Sequence, residues 1–140
     1  MLADLLAEIE RQGGYKSGGG PEPVVSLEFF FEGNDDPGSI GCNLVDHPGV
    51  EYFFTVLRDV RERPDVKDVW VGISEVPGGG EWPFSDHVYV LTSASADDVL
   101  RWTAALNPEP EVAPGWWNDT PPVKPIPMPE GMHVLTLWWD

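Results

Sequence analysis

The sequence has a single cysteine, Cys42, so no disulfide can form within the chain and a cysteine-rich zinc site is excluded. Basic residues are scarce as well. Eight Lys and Arg stand against 24 Asp and Glu, a formal net charge of −16. A field of that sign repels phosphate backbones and anionic headgroups, so neither nucleic acid nor a membrane is an expected partner. No stretch approaches the ~18 consecutive apolar residues of a membrane span. Asp4, Glu8 and Glu10 lie where a secretory signal needs a basic start and an apolar run. A cytoplasmic protein is the expectation.

Aromatic residues, glycine and proline are plentiful instead. Over 140 residues, 41% hydrophobic, the chain has seven Trp and six Phe. That suits one domain, 1–140, with a packed core over 24–140 and a helix over 2–12 tethered by a glycine-rich linker. Arg58, Arg61, Arg63 and Lys67 cluster in one stretch, so the rest of the chain holds most of the excess negative charge.

The stretch Val66 to Thr92 organises the reading: two β-branched and aromatic arms with alternating polarity flank Pro77-Gly78-Gly79-Gly80, the pattern of a hairpin. Val69, Val71 and Ile73 point one way on its first arm. The second arm, His87 to Thr92, is apolar on both faces and is expected in the middle of a sheet. Leu2, Leu5, Leu6 and Ile9 make one face of the first helix. Val24 to Glu32 alternates like a strand, with Val25, Leu27, Phe29 and Phe31 inward. A long loop, Gly33 to Asp46, leads to a helix with Pro48 in its first turn and Asp46 or His47 as cap. Val50, Phe53, Phe54, Leu57 and Val60 form its stripe. Ser95 caps a short helix carrying Val99, Trp102 and Leu106. Residues 107–131 hold eight of the fifteen prolines and form an irregular arm. Residues from Met132 to the end close the chain as a strand. The core order strand–helix–strand–strand–helix–strand predicts an α+β, ferredoxin-like split βαβ (βαββαβ) antiparallel sheet, with an added N-terminal helix and the Pro-rich arm before the last strand. That fold licenses no activity by itself.

Candidate chemistry is thin. Glu32, Asp35, Asp36, Asp46 and His47 supply metal-ligand types, but the calcium-loop spacing is absent and Asp-Asp-Pro-Gly is ordinary turn chemistry; no metal and no cofactor are expected. His47, His87 and His133 lack zinc spacing, although His87 and His133 could approach each other across the sheet. Ser85-Asp86-His87 has the residue types of a hydrolytic triad, but neighbours on an extended chain face opposite ways. Cys42 lies just before a helix and is admissible as a nucleophile only with a base nearby. The glycine runs lack the Lys-Ser/Thr of a phosphate loop.

Two functions fit. The first is a non-enzymatic acidic protein that masks a basic protein partner. It is similar in size and charge to the immunity proteins of bacterial toxin systems, with Asp35, Asp36, Trp82, Trp116 and Trp117 as the partner-binding residues. The second is a small-molecule-binding or hydrolytic enzyme with a pocket between the open sheet face and the Pro-rich arm, lined by Glu28, Glu32, His87 and His133. Self-association as a homodimer is a further possibility.

Overall fold

The computed structural model describes residues 1–140. Five strands form one open antiparallel sheet in the order β1-β2-β3-β5-β4. They are β1 (Val24–Ser26), β2 (Val66–Gly72), β3 (His87–Thr92), β4 (Ala113–Pro114) and β5 (His133–Trp138). Four α-helices accompany them: α1 (Leu2–Arg11), α2 (Leu27–Phe31), α3 (Val50–Arg61) and α4 (Ala96–Trp102). β3 is the central strand and all six of its residues are buried. In register, Trp70 of β2 faces Tyr89 of β3, and Tyr89 faces Thr136 of β5.

The split βαβ expectation is therefore corrected. In that fold, helix-linked strands run parallel with another strand between them. Here β1 and β2 are adjacent and antiparallel, as are β3 and β5. The cause lies in Val24–Glu32, read from sequence as one strand. Only Val24–Ser26 is extended. Ser26 then caps a helix, its hydroxyl accepting the Phe29 N–H at 3.1 Å. Leu27, Phe30 and Phe31 are buried, the i, i+3, i+4 spacing of a helix face. The chain thus turns off the sheet through α2 and the following loop before α3 leads back into β2. Replacing Ser26 with alanine is expected to destabilise the protein by about 1 kcal/mol, measured by urea unfolding, because one cap is lost at the point where strand becomes helix.

The first face of the sheet carries Val25, Val69, Val71, Val88, Val90, Leu135 and Leu137 against Leu5 and Ile9 of α1, Leu27, Phe30 and Phe31 of α2, Phe53, Leu57 and Val60 of α3, and Val99 of α4. α1 thus packs on this core. The second face carries Val24, Tyr89, Leu91 and Val134, covered by Trp116, Trp117 and Ile126 from the Pro-rich arm. The face expected to be open is covered. Trp138 and Trp139 part as alternation demands: Trp139 is buried beside Phe53 at 5.3 Å, whereas Trp138 meets Trp117 at 5.7 Å on the other side.

The β1 edge is closed by a side chain. Gln12 donates to the Val24 carbonyl at 2.7 Å and accepts the Val24 N–H at 3.1 Å, standing in for a neighbouring strand. α3 begins two residues later than expected, at Val50 with Gly49 as cap. His47 accepts the Gly49 N–H at 2.9 Å and donates to the Ile40 carbonyl at 2.7 Å, which fixes the entry to the helix. No helix is long and apolar enough to cross a membrane.

Candidate functional site

The most concentrated chemistry lies where β3 begins. His87 is only 1% exposed, yet both its ring nitrogens meet carboxylates. Nδ1 lies 2.6 Å from Asp86 Oδ1, and Nε2 lies 2.5 Å from Glu22 Oε1. A neutral imidazole has one N–H, so two carboxylate partners call for the doubly protonated ring. Tyr89 O–H donates to the same Glu22 oxygen. Ser74, from the segment after β2, donates to Asp86 Oδ1 at 2.9 Å and accepts the Asp86 N–H at 3.1 Å. Trp117 stacks on His87 at 5.2 Å and 13°, and Trp116 meets Tyr89 edge-on at 4.9 Å.

β2 makes room for this cluster at one residue. A Cβ on Gly72 would stand 2.1 Å from His87 Nε2 and 2.7 Å from Glu22 Oε1. The carboxylate–imidazole contact lies directly over the Gly72 backbone. Glycine is the residue that allows it.

Burial opposes charge on His87, but the hydrogen bonds to Asp86 and Glu22, with their negative charges, outweigh it and raise the ring to about 8. Asp86 is also opposed by burial, yet the His87 bond and charge hold it below the usual carboxylate range. Burial and the Glu22 charge push Tyr89 well above its ordinary value. The linkage sign follows from the raised imidazole. Its stabilisation is complete below the unfolded-state value of 6.5 and is lost as pH rises through about 8. Unfolding stability is expected to drop by about 2 kcal/mol between pH 6 and pH 9, measured by urea midpoints.

A hollow of about 250 Å³ opens beside the cluster, lined by Lys16, Gly18, Glu22, Ser74, Asp86 and Trp117 among others. A second hollow of about 290 Å³ shares Asp86 and Trp117 and adds Cys42, Phe84, Trp138 and Asp140. Both His87 nitrogens are committed to carboxylates, so the ring cannot serve as a base towards a nucleophile in this state. Ser85 turns inward, donating to the His87 carbonyl at 2.9 Å. Asp86, by contrast, does reach His87, a contact that strict alternation forbids. It sits in a bend just before β3, where alternation does not yet apply. Cys42 is exposed, and both nitrogens of His47, the histidine nearest in sequence, are engaged with backbone.

The remaining candidates are dispersed. Glu28 is paired with Arg61 at 2.5 Å, and that bond holds its carboxyl below the usual range. Glu28 and Glu32 line a groove of about 390 Å³ between α1 and α2, away from His87. His133 bonds the Ala94 carbonyl at 2.8 Å. His87 pairs with Trp138 and His133 with Thr92, so the two histidines stand at opposite ends of β3 and do not approach each other. Trp82 is half-buried, its N–H donated to the Phe30 carbonyl at 3.0 Å. Trp116 and Trp117 are half-buried over the second sheet face.

Asp35 and Asp36 are exposed on a loop fixed by its own bonds. Asn34 donates to Phe30 O at 3.2 Å and to Ser39 Oγ at 2.9 Å, Asp36 accepts the Gly38 N–H at 2.8 Å, and Ser85 N–H bonds the Ser39 carbonyl at 2.8 Å. A hollow of about 430 Å³ next to this turn is lined by Asn34, Asp35, Pro48, Glu51 and Tyr52 among others, with no lysine or arginine. On the same loop Val45 is 97% exposed, and Tyr52 is 43% exposed on the first turn of α3. No group of three or more His, Cys, Asp or Glu side chains converges as a metal site.

Fold and site together describe a small α+β protein whose sheet is backed by helices on one face and by an indole-bearing, proline-rich arm on the other. Residues 1–137 match the model of the Uncharacterized protein YfbO family, and the chain belongs to that family. It is 37% identical over 120 residues to Uncharacterized protein YfbO of Escherichia coli (strain K12), covering 86% of this chain and 84% of that one. No solved structure matches it.

Proposed function

We propose that this is a non-enzymatic binding protein that masks a basic protein partner, docking it on the Asn34–Tyr52 surface. One observation carries the reading: a turn fixed by hydrogen bonds at Asn34–Ser39 holds Asp35 and Asp36 in solvent, Asp35 shares a hollow with Glu51 and the exposed Tyr52, no cation lines that hollow, and Val45 and Asp46 are exposed further along the same loop. Rigid carboxylates next to apolar contact area suit a lysine- or arginine-bearing surface, and prior ordering lowers the entropic cost of docking. The molecule's own cations are mostly engaged. Arg11, Arg61 and Arg101 are ion-paired, and Arg58, Arg63 and Lys124 lie over aromatic rings. Only six of the 24 acidic side chains take part in an ion pair, so the field that steers a partner inward is largely uncompensated. In this reading Trp82 packs on the helix-backed core and Trp116 and Trp117 cover the other sheet face, so none of the three forms the contact itself.

Zero-length carbodiimide coupling of the chain to the partner it retains on an affinity column is the test. Cross-links from partner lysines are expected at Asp35, Asp36, Asp46 and Glu51. Cross-links confined to the opposite side of the sheet would overturn the assignment of this surface.

A second reading rests on the convergence of Glu22, Asp86 and His87 beside the 250 Å³ hollow. It is a site for a small polar ligand bearing N–H donors, since the cluster offers carboxylate acceptors and no free base. Titration with small amines, followed by the ring resonances of His87, distinguishes it from the first.

A further inference from the structure

We propose that His87 is a proton-operated latch: while its ring carries both protons it fastens the Gly-rich segment 16–22 and the Pro-rich arm to the start of β3, and loss of one proton loosens the segment. This inference does not depend on which partner the protein binds.

The geometry singles out Glu22 as the less firmly held side of the contact: once Nε2 has lost its proton, the Tyr89 O–H is the one side-chain donor left to its carboxylate. Asp86 is fixed from three directions: its N–H bonds Ser74 Oγ, its carboxylate accepts from Ser74, and its carbonyl accepts the Trp139 N–H at 2.9 Å. When the ring keeps a single proton, that proton therefore stays on Nδ1 against Asp86. Nε2 then turns a lone pair towards Glu22 Oε1 at a separation of 2.5 Å, where attraction becomes repulsion. The released proton passes to solvent through the adjoining hollow. The Trp117 stack weakens at the same step, because an indole face attracts an imidazolium more than a neutral ring.

Glu22 also joins the pieces that would loosen. Its carbonyl accepts the Val123 N–H of the Pro-rich arm at 2.9 Å, while the residues upstream stand in open space: nothing lies within 4 Å of where a Cβ would stand on Gly18, Gly19 or Gly20. Downstream the chain is held, since Pro23 accepts the Ile73 N–H at 3.0 Å and Gln12 brackets Val24. Upstream, Tyr15 packs on the core, so movement is confined to the stretch from Lys16 to Glu22, which borders the 250 Å³ hollow.

The charged and titratable groups facing the ring are few. Glu22 comes from the Gly-rich segment, and Asp86 and Tyr89 come from the ring's own strand or its threshold. Residue 74, Trp117 of the arm and Trp138 of β5 bring no charge. Lys16 is the one cation lining the hollow. Tyr89 stays protonated throughout, its value being pushed far upward. Between neutral and mildly alkaline pH the imidazole is thus the group that changes, at about 8.

The test is carbon-detected NMR of the full chain between pH 6 and pH 10, following the His87 ring carbons and the Cα resonances of Gly18, Gly19 and Gly20. The glycine shifts are expected to move with the same midpoint as the ring. In Glu22→Gln the ring midpoint is expected to fall by about one unit, since one anionic partner is gone, and the glycine shifts should no longer follow it. Because His87→Gln could fail to fold, the Glu22 variant is the deciding one. Glycine resonances that stay still while His87 titrates would overturn the latch, and so would a ring that does not titrate anywhere in that range.

Discussion

Gly72→Ala is expected to destabilise the protein by roughly 3 kcal/mol and lower its midpoint temperature by about 10 °C. Gly72 has ordinary strand backbone, where alanine is normally the better residue by a few tenths to about 1 kcal/mol. Any loss must therefore come from contact. The new methyl carbon would meet His87 Nε2 at 2.1 Å and Glu22 Oε1 at 2.7 Å, and these groups cannot both withdraw without separating a buried ion pair. A double-mutant cycle isolates the cause. Once His87 has been reduced to alanine, adding the methyl group at position 72 should cost less than about 1 kcal/mol. Equal costs in both backgrounds, measured by urea unfolding, would place the strain elsewhere.

Glu22→Ala is the second large effect. It leaves the buried His87 ring with one N–H unpaired and removes the acceptor of the Tyr89 hydroxyl. Breaking a buried pair from one side costs about 3–5 kcal/mol, and the one-fifth exposure of Glu22 favours the lower end. Glu22→Gln keeps a carbonyl oxygen for Tyr89 and should lose only about 1 kcal/mol. The comparison also reports on charge: the alanine variant should be affected more at pH 6, where the ring is an imidazolium, than at pH 9, where it is neutral.

The parts of the fold that rest on short-range pattern were legible in the sequence. β2 and β3 announce themselves by alternation, and the double-sided apolarity of Val88 to Leu91 marks β3 as central. The α3 stripe is equally plain. What misled was a segment that satisfies two periods at once. Leu27-Glu-Phe-Phe-Phe31 alternates well enough for a strand, and the helix signal was confined to Ser26 and the acid after Leu27. With that strand overextended, the sheet order followed wrongly, because the reversal through α2 was invisible.

The site was less legible, and for a different reason. Glu22 lies in a stretch of glycine and proline that reads as a flexible connection, 65 residues from the histidine it holds. No local pattern encodes that contact. Its only trace is Gly72, a glycine inside an otherwise β-branched strand, the usual mark of something approaching the backbone closely. Asp86-His87 is visible as a dipeptide, but Asp86 stands one residue before the strand begins, where alternation does not hold. Asp35 and Asp36 stand out in sequence because a long acidic loop is conspicuous; the internal bonds that fix the loop leave no such mark.

Since the account rests on an acidic surface docking a basic protein, the dependence of affinity on ionic strength is the most direct measurement. For the partner retained by the native chain, raising salt from about 50 to 200 mM is expected to weaken binding at least tenfold, and Asp35→Asn with Asp36→Asn to flatten that slope. Affinity that is indifferent to salt, and equal in the native and doubly substituted proteins, would contradict it.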